Sequence, residues 1–191
     1  MNAAALRPAV FLDRDGTIVE DVDYLTDPDQ LRLIPGAAAA IHLLNKRGLA
    51  VIVVTNQSAV ARGMLTEEVL AGVHRRLSEM LASEGAHLDA IYHCPHLSPG
   101  GIAPYDRDCD CRKPAPGMLR QAAREHGIDL AASTMIGDSL RDLQAGAAAG
   151  CKTRILVRTG HGIAEEAAAV TQASFVADDL VKAVAELLSR R

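Results

Sequence analysis

Short apolar runs alternate with longer segments of helical periodicity along the whole chain. Runs rich in β-branched residues predict strands, and apolar positions that recur every three or four residues predict helices. This alternation is typical of a parallel sheet, because parallel strands are joined by crossover helices. We therefore predict an α/β fold with a doubly wound parallel sheet. The predicted strands are 10–12, 49–54, 88–92, 134–136, 153–157 and 174–176, and the predicted helices are 36–48, 66–85, 116–127, 142–150, 164–170 and 178–190.

One strand and one helix carry the strongest local signals. Residues 49–54 form a continuous apolar run, which predicts a strand buried on both faces. Thr66 is a typical N-cap residue, and Glu67 and Glu68 supply the negative charge that the first turn of a helix favours. No internal repeat or linker divides the 191 residues, so we expect a single domain spanning 1–191.

Composition narrows the choice of partner. A net charge of −4 and a pI near 6.0 give no basic surface for nucleic acid or for an acidic membrane. Residues 1–7 lack the apolar core of a secretory signal, and no segment approaches the roughly 20 apolar residues of a membrane span. We expect a cytoplasmic monomer that binds a small molecule and has neither a nucleic-acid nor a membrane partner.

The first apolar run stops at two carboxylates, Asp13 and Asp15. While a strand lasts, residues two apart share a face, and Gly16 then allows a tight turn. Two close carboxylates repel each other, and a bound divalent cation or a shared proton relieves the repulsion. A hard cation with oxygen ligands is our first interpretation. The alternative is a polar turn in which Asp15 and Gly16 only form the bend.

Polar residues follow two other predicted strands. Thr55 and Asn56 come directly after 49–54, and Asp138 comes shortly after 134–136. In an open parallel sheet, ligands bind beyond the carboxyl ends of the strands. We therefore expect these side chains to lie near the two carboxylates that follow the first strand.

This combination of groups predicts a site for a metal ion and an anion. Three carboxylates can hold Mg²⁺, the Thr55 hydroxyl and nearby backbone N–H groups can hold a phosphate, and Lys113 is a candidate counter-charge. An aspartate that attacks phosphorus forms an aspartyl-phosphate and so divides one difficult hydrolysis into two easier steps. The second acid, Asp15, can protonate the leaving oxygen and later activate water.

Three of the four cysteines lie in or beside the Pro- and Gly-rich segment 93–114. Long segments without periodicity are usually functional in compact domains. Three thiolates and one imidazole suit a closed tetrahedral Zn²⁺ site, which would order the loop that ends at Arg112 and Lys113. The alternative is a set of scattered thiols beside a surface histidine, and Cys151 is interpreted as a buried residue outside the site. The candidate zinc ligands are Cys94, His96, Cys109 and Cys111.

Four short motifs occur in an order that resembles one known family. They are residues 11–17, 54–56, 112–114, and 137–139 with Asp142. In all four the chain resembles the haloacid dehalogenase-like (HAD) phosphatases. The resemblance implies a Rossmann-like fold, a Mg²⁺ cofactor and an aspartyl-phosphate intermediate.

The resemblance also implies a role for each matching residue. Asp13 would be the nucleophile, and Asp15 the general acid and base. Thr55 and Lys113 would bind the transferred phosphoryl group, and Mg²⁺ would be held by Asp13, the backbone carbonyl of Asp15, and Asp138. Arg112 would recognise a second, remote phosphate. The residues implied to line the substrate site are Asp21, Tyr24, Thr55, Asn56, Gln57, Ser58, Arg112 and Lys113; for Asp21 and Tyr24 an ordinary surface turn stays an alternative.

The cysteine cluster and the short spacing between motifs point to one group within the family. In both features the chain resembles the members that lack a cap domain and act on heptose bisphosphates. This implies removal of the 7-phosphate of D-glycero-D-manno-heptose 1,7-bisphosphate, in the synthesis of nucleotide-activated heptose for lipopolysaccharide or a related glycan. Two alternatives stay open: a histidinol-phosphate phosphatase, and a non-catalytic, zinc-stabilised binding protein on the same fold.

Overall fold

The computed structural model describes residues 6–190 and contains a six-stranded sheet in which all neighbouring strands are parallel. The predicted doubly wound α/β fold is confirmed. Most of the N-terminal segment that we interpreted as lacking a secretory signal, residues 1–5, lies outside the described residues. The strands are β1 (Ala9–Leu12), β2 (Ala50–Asn56), β3 (Ala90–Cys94), β4 (Thr134–Gly137), β5 (Thr153–Val157) and β6 (Phe175–Ala177), in the order β3-β2-β1-β4-β5-β6.

Helices connect consecutive strands and cover both faces of the sheet. Within residues 6–190 the α-helices are α1 (Ala37–Lys46), α2 (Glu67–Ser83), α3 (Gly117–His126), α4 (Leu140–Ala149), α5 (Gly162–Ala169) and α6 (Leu180–Ser189). Single 3₁₀ turns lie at Pro28–Gln30 and Leu130–Ala132. The Thr66 side chain accepts a hydrogen bond from the Val69 N–H, as expected for the N-cap of α2.

The sheet is buried on both faces. Along β1, Ala9 and Phe11 pack into one hydrophobic core, and Val10 and Leu12 pack into the core on the opposite face. β2 is buried from its first residue to Thr55, which confirms the prediction for this run. Burial of each large aliphatic side chain stabilises the fold by about 1.5–3 kcal/mol, so a register slip that exchanged the two faces would be strongly unfavourable.

Several predicted boundaries differ from the structure by one or two residues, and two of these differences lie near the carboxyl edge of the sheet. β3 continues to Cys94, two residues further than predicted, because its pairing with β2 extends until Asn56 lies opposite Cys94. α4 begins at Leu140 rather than at Asp142. Ser139 is its N-cap, and the Asp142 carboxylate accepts a hydrogen bond from the Ser139 N–H at 3.0 Å. This capping box places Asp142 in the first turn of the helix.

The connections that leave the carboxyl ends of β1, β2 and β3 span residues 13–36, 57–66 and 95–116. Within the described chain, their only helix is the 3₁₀ turn Pro28–Gln30, so the architecture lacks a cap domain, as predicted. No helix in residues 6–190 is long and apolar enough to cross a bilayer. The single domain, the monomeric state and the cytoplasmic location stay predictions.

Candidate active site

The strand order reverses between β1 and β4. From β1 the chain proceeds outward through β2 and β3, then returns to β4 on the other side and proceeds through β5 and β6. At such a switch point, neighbouring connections diverge and leave a crevice beyond the strand ends. The Asp13 N–H donates to the Ile136 carbonyl at 3.0 Å, so the residue that follows β1 is tied to β4 at this crevice.

A cleft of about 270 Å³ opens at this edge of the sheet. It brings together both acids of the first motif, Asp138, and every residue implied for substrate contact. These are Asp13, Asp15, Asp21, Tyr24, Thr55, Asn56, Gln57, Ser58, Arg112, Lys113 and Asp138. The cleft is also lined by residues for which no role was predicted, namely Arg14, Asp23, Leu25, Ala59, Arg141 and His161.

Lys113 lies between two carboxylates at the base of the cleft. Its Nζ is 2.9 Å from Oδ1 of Asp13 and 2.6 Å from Oδ1 of Asp142. Burial by itself lowers the pKa of Lys113, but the charges of the two aspartates more than offset this, and the pKa is raised. Lys113 is therefore a permanent cation beside Asp13.

Asp138 is buried, Asp13 keeps only 13% of its side chain exposed, and both acids have raised pKa values. Burial raises the pKa of Asp13 to about 6, although the charge of Lys113 opposes the shift. Burial and the charges of Asp13 and Asp142 raise the pKa of Asp138 to about 8. Both carboxylates are thus under-compensated by the surrounding protein, which is the environment that a bound cation stabilises.

Asp13, Asp138 and Asp142 have carboxylate oxygens that all lie within 4.8 Å of one another. This donor set suits a hard divalent cation. Asp142 belongs to the fourth motif, but no role in the site was predicted for it. The available signal was its position four residues after Asp138. The expected metal contact of Asp15 uses its backbone carbonyl, and its carboxylate does not belong to this cluster.

The Asp15 carboxylate is held by two other side chains. Arg14 donates to Oδ1 from Nε at 3.0 Å and from Nη2 at 2.8 Å, and Gln57 donates to Oδ2 at 2.8 Å. β1 ends at Leu12, so the expectation that the two acids share a strand face does not hold: Asp13 pairs with Lys113 and Asp15 with Arg14. The chain then turns at Gly16, whose φ of +73° favours glycine.

Asn56 fixes the backbone of Lys113. Its amide nitrogen donates to the Lys113 carbonyl, and its amide oxygen accepts from the Lys113 N–H, both at 3.0 Å. Because both polar atoms of the Asn56 side chain are used in this way, Asn56 acts on the cleft mainly through Lys113. Thr55 is 1% exposed, and its hydroxyl accepts a hydrogen bond from Gln57 at 2.8 Å.

The four predicted zinc ligands converge beside β3. Cys94 Sγ lies 3.6 Å from Cys109 Sγ and 3.1 Å from Cys111 Sγ, and His96 Nδ1 lies 3.2 Å from Cys111 Sγ. The edge of a tetrahedron with metal–sulfur arms of about 2.3 Å is about 3.8 Å, so the donor set fits a zinc ion. Cys151 is 1% exposed and lies apart from this cluster, as expected.

The zinc-ligand loop contacts the cleft directly. Arg112 follows Cys111, and its Nη1 donates to the His96 carbonyl at 3.1 Å. The position of the Arg112 guanidinium therefore depends on the loop that the cysteines organise.

Three connections, those that follow β1, β2 and β5, meet at the rim of the cleft. His161 Nε2 lies 2.9 Å from Oδ2 of Asp21, and the Arg62 guanidinium lies 5.8 Å from the centre of the Tyr24 ring. The His161 N–H donates to Oδ2 of Asp138 at 2.8 Å. His161 could have been suspected from the sequence, because it follows a strand whose carboxyl end faces the same edge.

The fold and the acidic centre at its switch point define the class of the protein: a doubly wound α/β protein with a carboxylate cluster that suits a divalent cation. Residues 10–90 match the family model described as haloacid dehalogenase-like hydrolase, and residues 110–183 match a second, HAD-hydrolase-like model. The chain belongs to the haloacid dehalogenase-like hydrolase family, and it is a phosphatase.

Two curated relatives carry the same name. The chain is 46% identical over 159 residues to the D-glycero-beta-D-manno-heptose-1,7-bisphosphate 7-phosphatase of Yersinia pestis, covering 83% of this chain and 85% of the relative. It is 47% identical over 160 residues to the enzyme of the same name from Escherichia coli K12, covering 84% of each.

Two solved structures of heptose bisphosphate phosphatases superpose on this chain. A D,D-heptose 1,7-bisphosphate phosphatase from B. bronchiseptica, complexed with magnesium and phosphate, superposes with a TM-score of 0.82 at 38% identity, covering 96% of this chain and 99% of that one. The D,D-heptose 1,7-bisphosphate phosphatase from Burkholderia thailandensis superposes with a TM-score of 0.70 at 32% identity, with the same coverage.

Proposed function

We propose that this phosphatase removes the 7-phosphate of D-glycero-β-D-manno-heptose 1,7-bisphosphate, in the synthesis of nucleotide-activated heptose for lipopolysaccharide or a related glycan. The observation that carries the proposal is the buried cluster of Asp13, Lys113, Asp142 and Asp138 in a chain that is 46% and 48% identical to enzymes of that name. The β configuration comes from the names of these relatives.

In the first half of the reaction, a carboxylate oxygen of Asp13 attacks the phosphorus of the 7-phosphate. The bond between phosphorus and the C7 oxygen breaks, and Asp15 gives its proton to that oxygen. The products of this step are the heptose 1-phosphate and an aspartyl-phosphate on Asp13. The short distance between Lys113 and Asp13 supports this assignment, because the cation offsets the repulsion between a carboxylate and a phosphate.

In the second half, Asp15 removes a proton from water, and the water oxygen attacks the phosphorus of the aspartyl-phosphate. The bond between phosphorus and the Asp13 oxygen breaks, which releases inorganic phosphate and restores both carboxyl groups. One residue serves both halves because the water enters from the side that the C7 oxygen has left.

The site residues fit a divalent cation of the Mg²⁺ type. Asp13, Asp138 and the backbone carbonyl of Asp15 would hold it, and the buried Asp142 carboxylate adds negative charge close by. Mg²⁺ would supply electrostatic neutralisation of the phosphate and of the carboxylates around it.

We assign two positions for phosphate. The transferred phosphoryl group would be bound by the Thr55 hydroxyl and Lys113, and the remote 1-phosphate by Arg112, whose planar guanidinium suits bidentate contacts. Residues at the rim of the cleft would contact the sugar between the two phosphates. These are Asp21, Tyr24 and Ser58. Gln57, the other residue implied for substrate contact here, lines the cleft but is 5% exposed, and its amide already bonds Asp15 and Thr55.

We also propose a structural zinc ion at Cys94, His96, Cys109 and Cys111. The convergence of their four donor atoms within 4.8 Å supports it. The ion would order the loop that carries Arg112 and Lys113, and so would contribute to catalysis indirectly.

The test is Mg²⁺-dependent phosphate release from three substrates in parallel: the β and α anomers of heptose 1,7-bisphosphate, and histidinol phosphate. We expect the highest kcat/KM for the β anomer, with ³¹P NMR showing loss of the 7-phosphate and retention of the 1-phosphate. A higher kcat/KM for histidinol phosphate would show that histidinol phosphate, and not heptose bisphosphate, is the substrate. Loss of the 1-phosphate first would contradict the proposed orientation.

A further inference from the structure

Arg14, which lies between the two acids of the first motif, has a buried side chain that the chemistry above leaves unused. Its side chain is 1% exposed. Removing a guanidinium from water is costly unless an anion and further hydrogen bonds compensate. Such a residue needs a specific partner, and among residues 6–190 its salt-bridge partner is Asp15.

Arg14 and Gln57 hold both oxygens of the Asp15 carboxylate. Arg14 Nη2 lies 2.8 Å from Oδ1 and 3.0 Å from Oδ2, and Arg14 Nε lies 3.0 Å from Oδ1. Gln57 Nε2 donates to Oδ2 at 2.8 Å, while its Oε1 accepts from Arg14 Nη2 at 3.0 Å. Asp15 nevertheless keeps 27% of its side chain exposed and lines the cleft. The contacts therefore fix the orientation of the carboxylate without covering it.

Gln57 also connects the acid to the phosphate-binding side of the cleft. Its amide nitrogen lies 2.8 Å from the Thr55 hydroxyl as well as 2.8 Å from Asp15. An amide nitrogen carries two hydrogens, so it can donate to both partners. The separation between Asp15 and Thr55 is thereby set by one rigid amide group.

The remaining guanidinium nitrogen of Arg14 has no anionic partner. Arg14 Nη1 and His74 Nε2 are both buried and lack hydrogen-bond partners among the described residues. Burial, together with the charges of Arg14 and His93, lowers the pKa of His74 to about 3, so His74 is neutral. Within residues 6–190, Asp15 is therefore the anionic partner of Arg14.

From these contacts we propose that Arg14 and Gln57 are positioning residues for proton transfer by Asp15, a proposal that rests on the phosphatase chemistry above. As the bond from Asp13 to phosphorus forms and the bond from phosphorus to the leaving oxygen breaks, Asp15 gives its proton to that oxygen and becomes a carboxylate. The N–H groups of Arg14 and Gln57 already face the oxygens on which this charge develops. The Arg14 and Gln57 donors occupy the side of the Asp15 carboxyl group that faces away from the cleft. The proton of Asp15 is therefore held on the side that faces the cleft.

A residue that acts only through a general acid has a characteristic signature. A poor leaving group such as an alkoxide needs the proton, whereas p-nitrophenolate leaves without one. Misplacing Asp15 should therefore slow an alkyl phosphate far more than an aryl phosphate. The parameter to compare is kcat/KM, because it reports the steps through formation of the aspartyl-phosphate.

The experiment measures kcat/KM of Arg14→Lys and Gln57→Leu on glycerol 3-phosphate and on p-nitrophenyl phosphate. Arg14→Lys keeps the charge and removes the planar fork, and Gln57→Leu removes the amide at similar volume. We expect losses of about 10²-fold or more on glycerol 3-phosphate and of less than about tenfold on p-nitrophenyl phosphate. Arg158→Lys, which alters an arginine paired with Glu166 outside the cleft, is the matched control and should leave the ratio of the two values unchanged.

A double-mutant cycle distinguishes an effect that acts through Asp15 from general support of the fold. In an Asp15→Asn background, Arg14→Lys should change kcat/KM for glycerol 3-phosphate by less than about threefold, because the group through which it acts is gone. Equal losses on both substrates, or a full additional loss in the Asp15→Asn background, would show that Arg14 only supports the fold. If Arg14→Lys does not fold, Gln57→Leu goes through the same cycle with the same criteria.

Neither probe contains a heptose, so the result does not depend on the sugar assignment. If the wild-type protein hydrolyses both probes but not heptose bisphosphate, the proposed substrate fails while the role of Arg14 and Gln57 is still decided by the comparison above.

Discussion

Nζ of Lys113 lies 2.9 Å from Oδ1 of Asp13, although the two residues come from distant parts of the chain. Asp13 follows the central strand β1, whereas Lys113 lies in the connection after β3, which also carries three of the four candidate zinc ligands. The backbone of Lys113 is in turn fixed by the side chain of Asn56 at the end of β2. The geometry around the proposed nucleophile therefore depends on three separate connections at one edge of the sheet.

Replacing Asp13 by Asn should abolish turnover. An amide cannot form the phosphoenzyme, and loss of a nucleophile of this kind lowers kcat by on the order of 10⁴-fold or more. The check is single-turnover kinetics, with circular dichroism to show that the variant is folded. Activity near that of the wild type would remove Asp13 from the mechanism.

Arg112 and Lys113 should differ in how they depend on the substrate. Arg112→Ala should impair heptose bisphosphate far more than a small monophosphate, because remote binding energy helps to position the reacting phosphate. Lys113→Ala should impair both, because it removes the cation beside Asp13. The comparison is kcat/KM for both variants on both substrates. Equal losses for Arg112→Ala would instead assign Arg112 to support of the zinc loop through its bond to His96.

The cysteine cluster predicts about one tightly bound zinc ion per chain, separate from exchangeable Mg²⁺. Cys109→Ala should lose the zinc and lower the melting temperature, since an unpinned loop buries little apolar surface. Cys151→Ala is the matched control: it removes a buried thiol outside the cluster and should retain the metal. The measurement is the zinc content per chain of protein purified without chelator. Wild-type protein that contains no zinc would rule out the proposed zinc site.

The raised pKa values of the acidic centre predict pH-dependent stability in the absence of Mg²⁺. The pKa of Asp13 is about 6 and that of Asp138 about 8, mainly because both are buried. Unfolded aspartates titrate near about 3.9, so the folded state binds more protons above that pH. The stabilisation from these protons is present below about pH 4 and is lost as the pH rises through about 8. Mg²⁺ should replace the protons, so its stabilising effect should grow over the same range.

The measurement is the melting temperature of Mg²⁺-free protein at about pH 6 and about pH 8, with and without added MgCl₂. We expect a larger increase at the higher pH, and Asp138→Asn should lose most of the difference. If MgCl₂ raised the melting temperature equally at both pH values, the metal would not compete with the protons on Asp13 and Asp138.

Several features of the site follow from local sequence. Asp13, Thr55 and Asp138 were predictable because each follows an apolar run closely, and the carboxyl ends of parallel strands share an edge. The cysteine cluster was predictable because ligand spacing within a loop is itself local information. These features can be recognised in a single sequence, because an apolar run and the spacing of ligands within a loop are both local properties of the chain.

The partners of these residues were decided by the tertiary structure. The sequence does not indicate that Asp142 pairs with Lys113, that Asn56 holds the Lys113 backbone, or that the His161 N–H bonds Asp138. The burial of Arg14 against Asp15 is equally invisible, because a single arginine beside two acids is usually solvated. Hydrophobic periodicity reports which face of a segment is buried. Which polar groups meet depends on strand order and on loop paths, and these are fixed only when the whole chain packs.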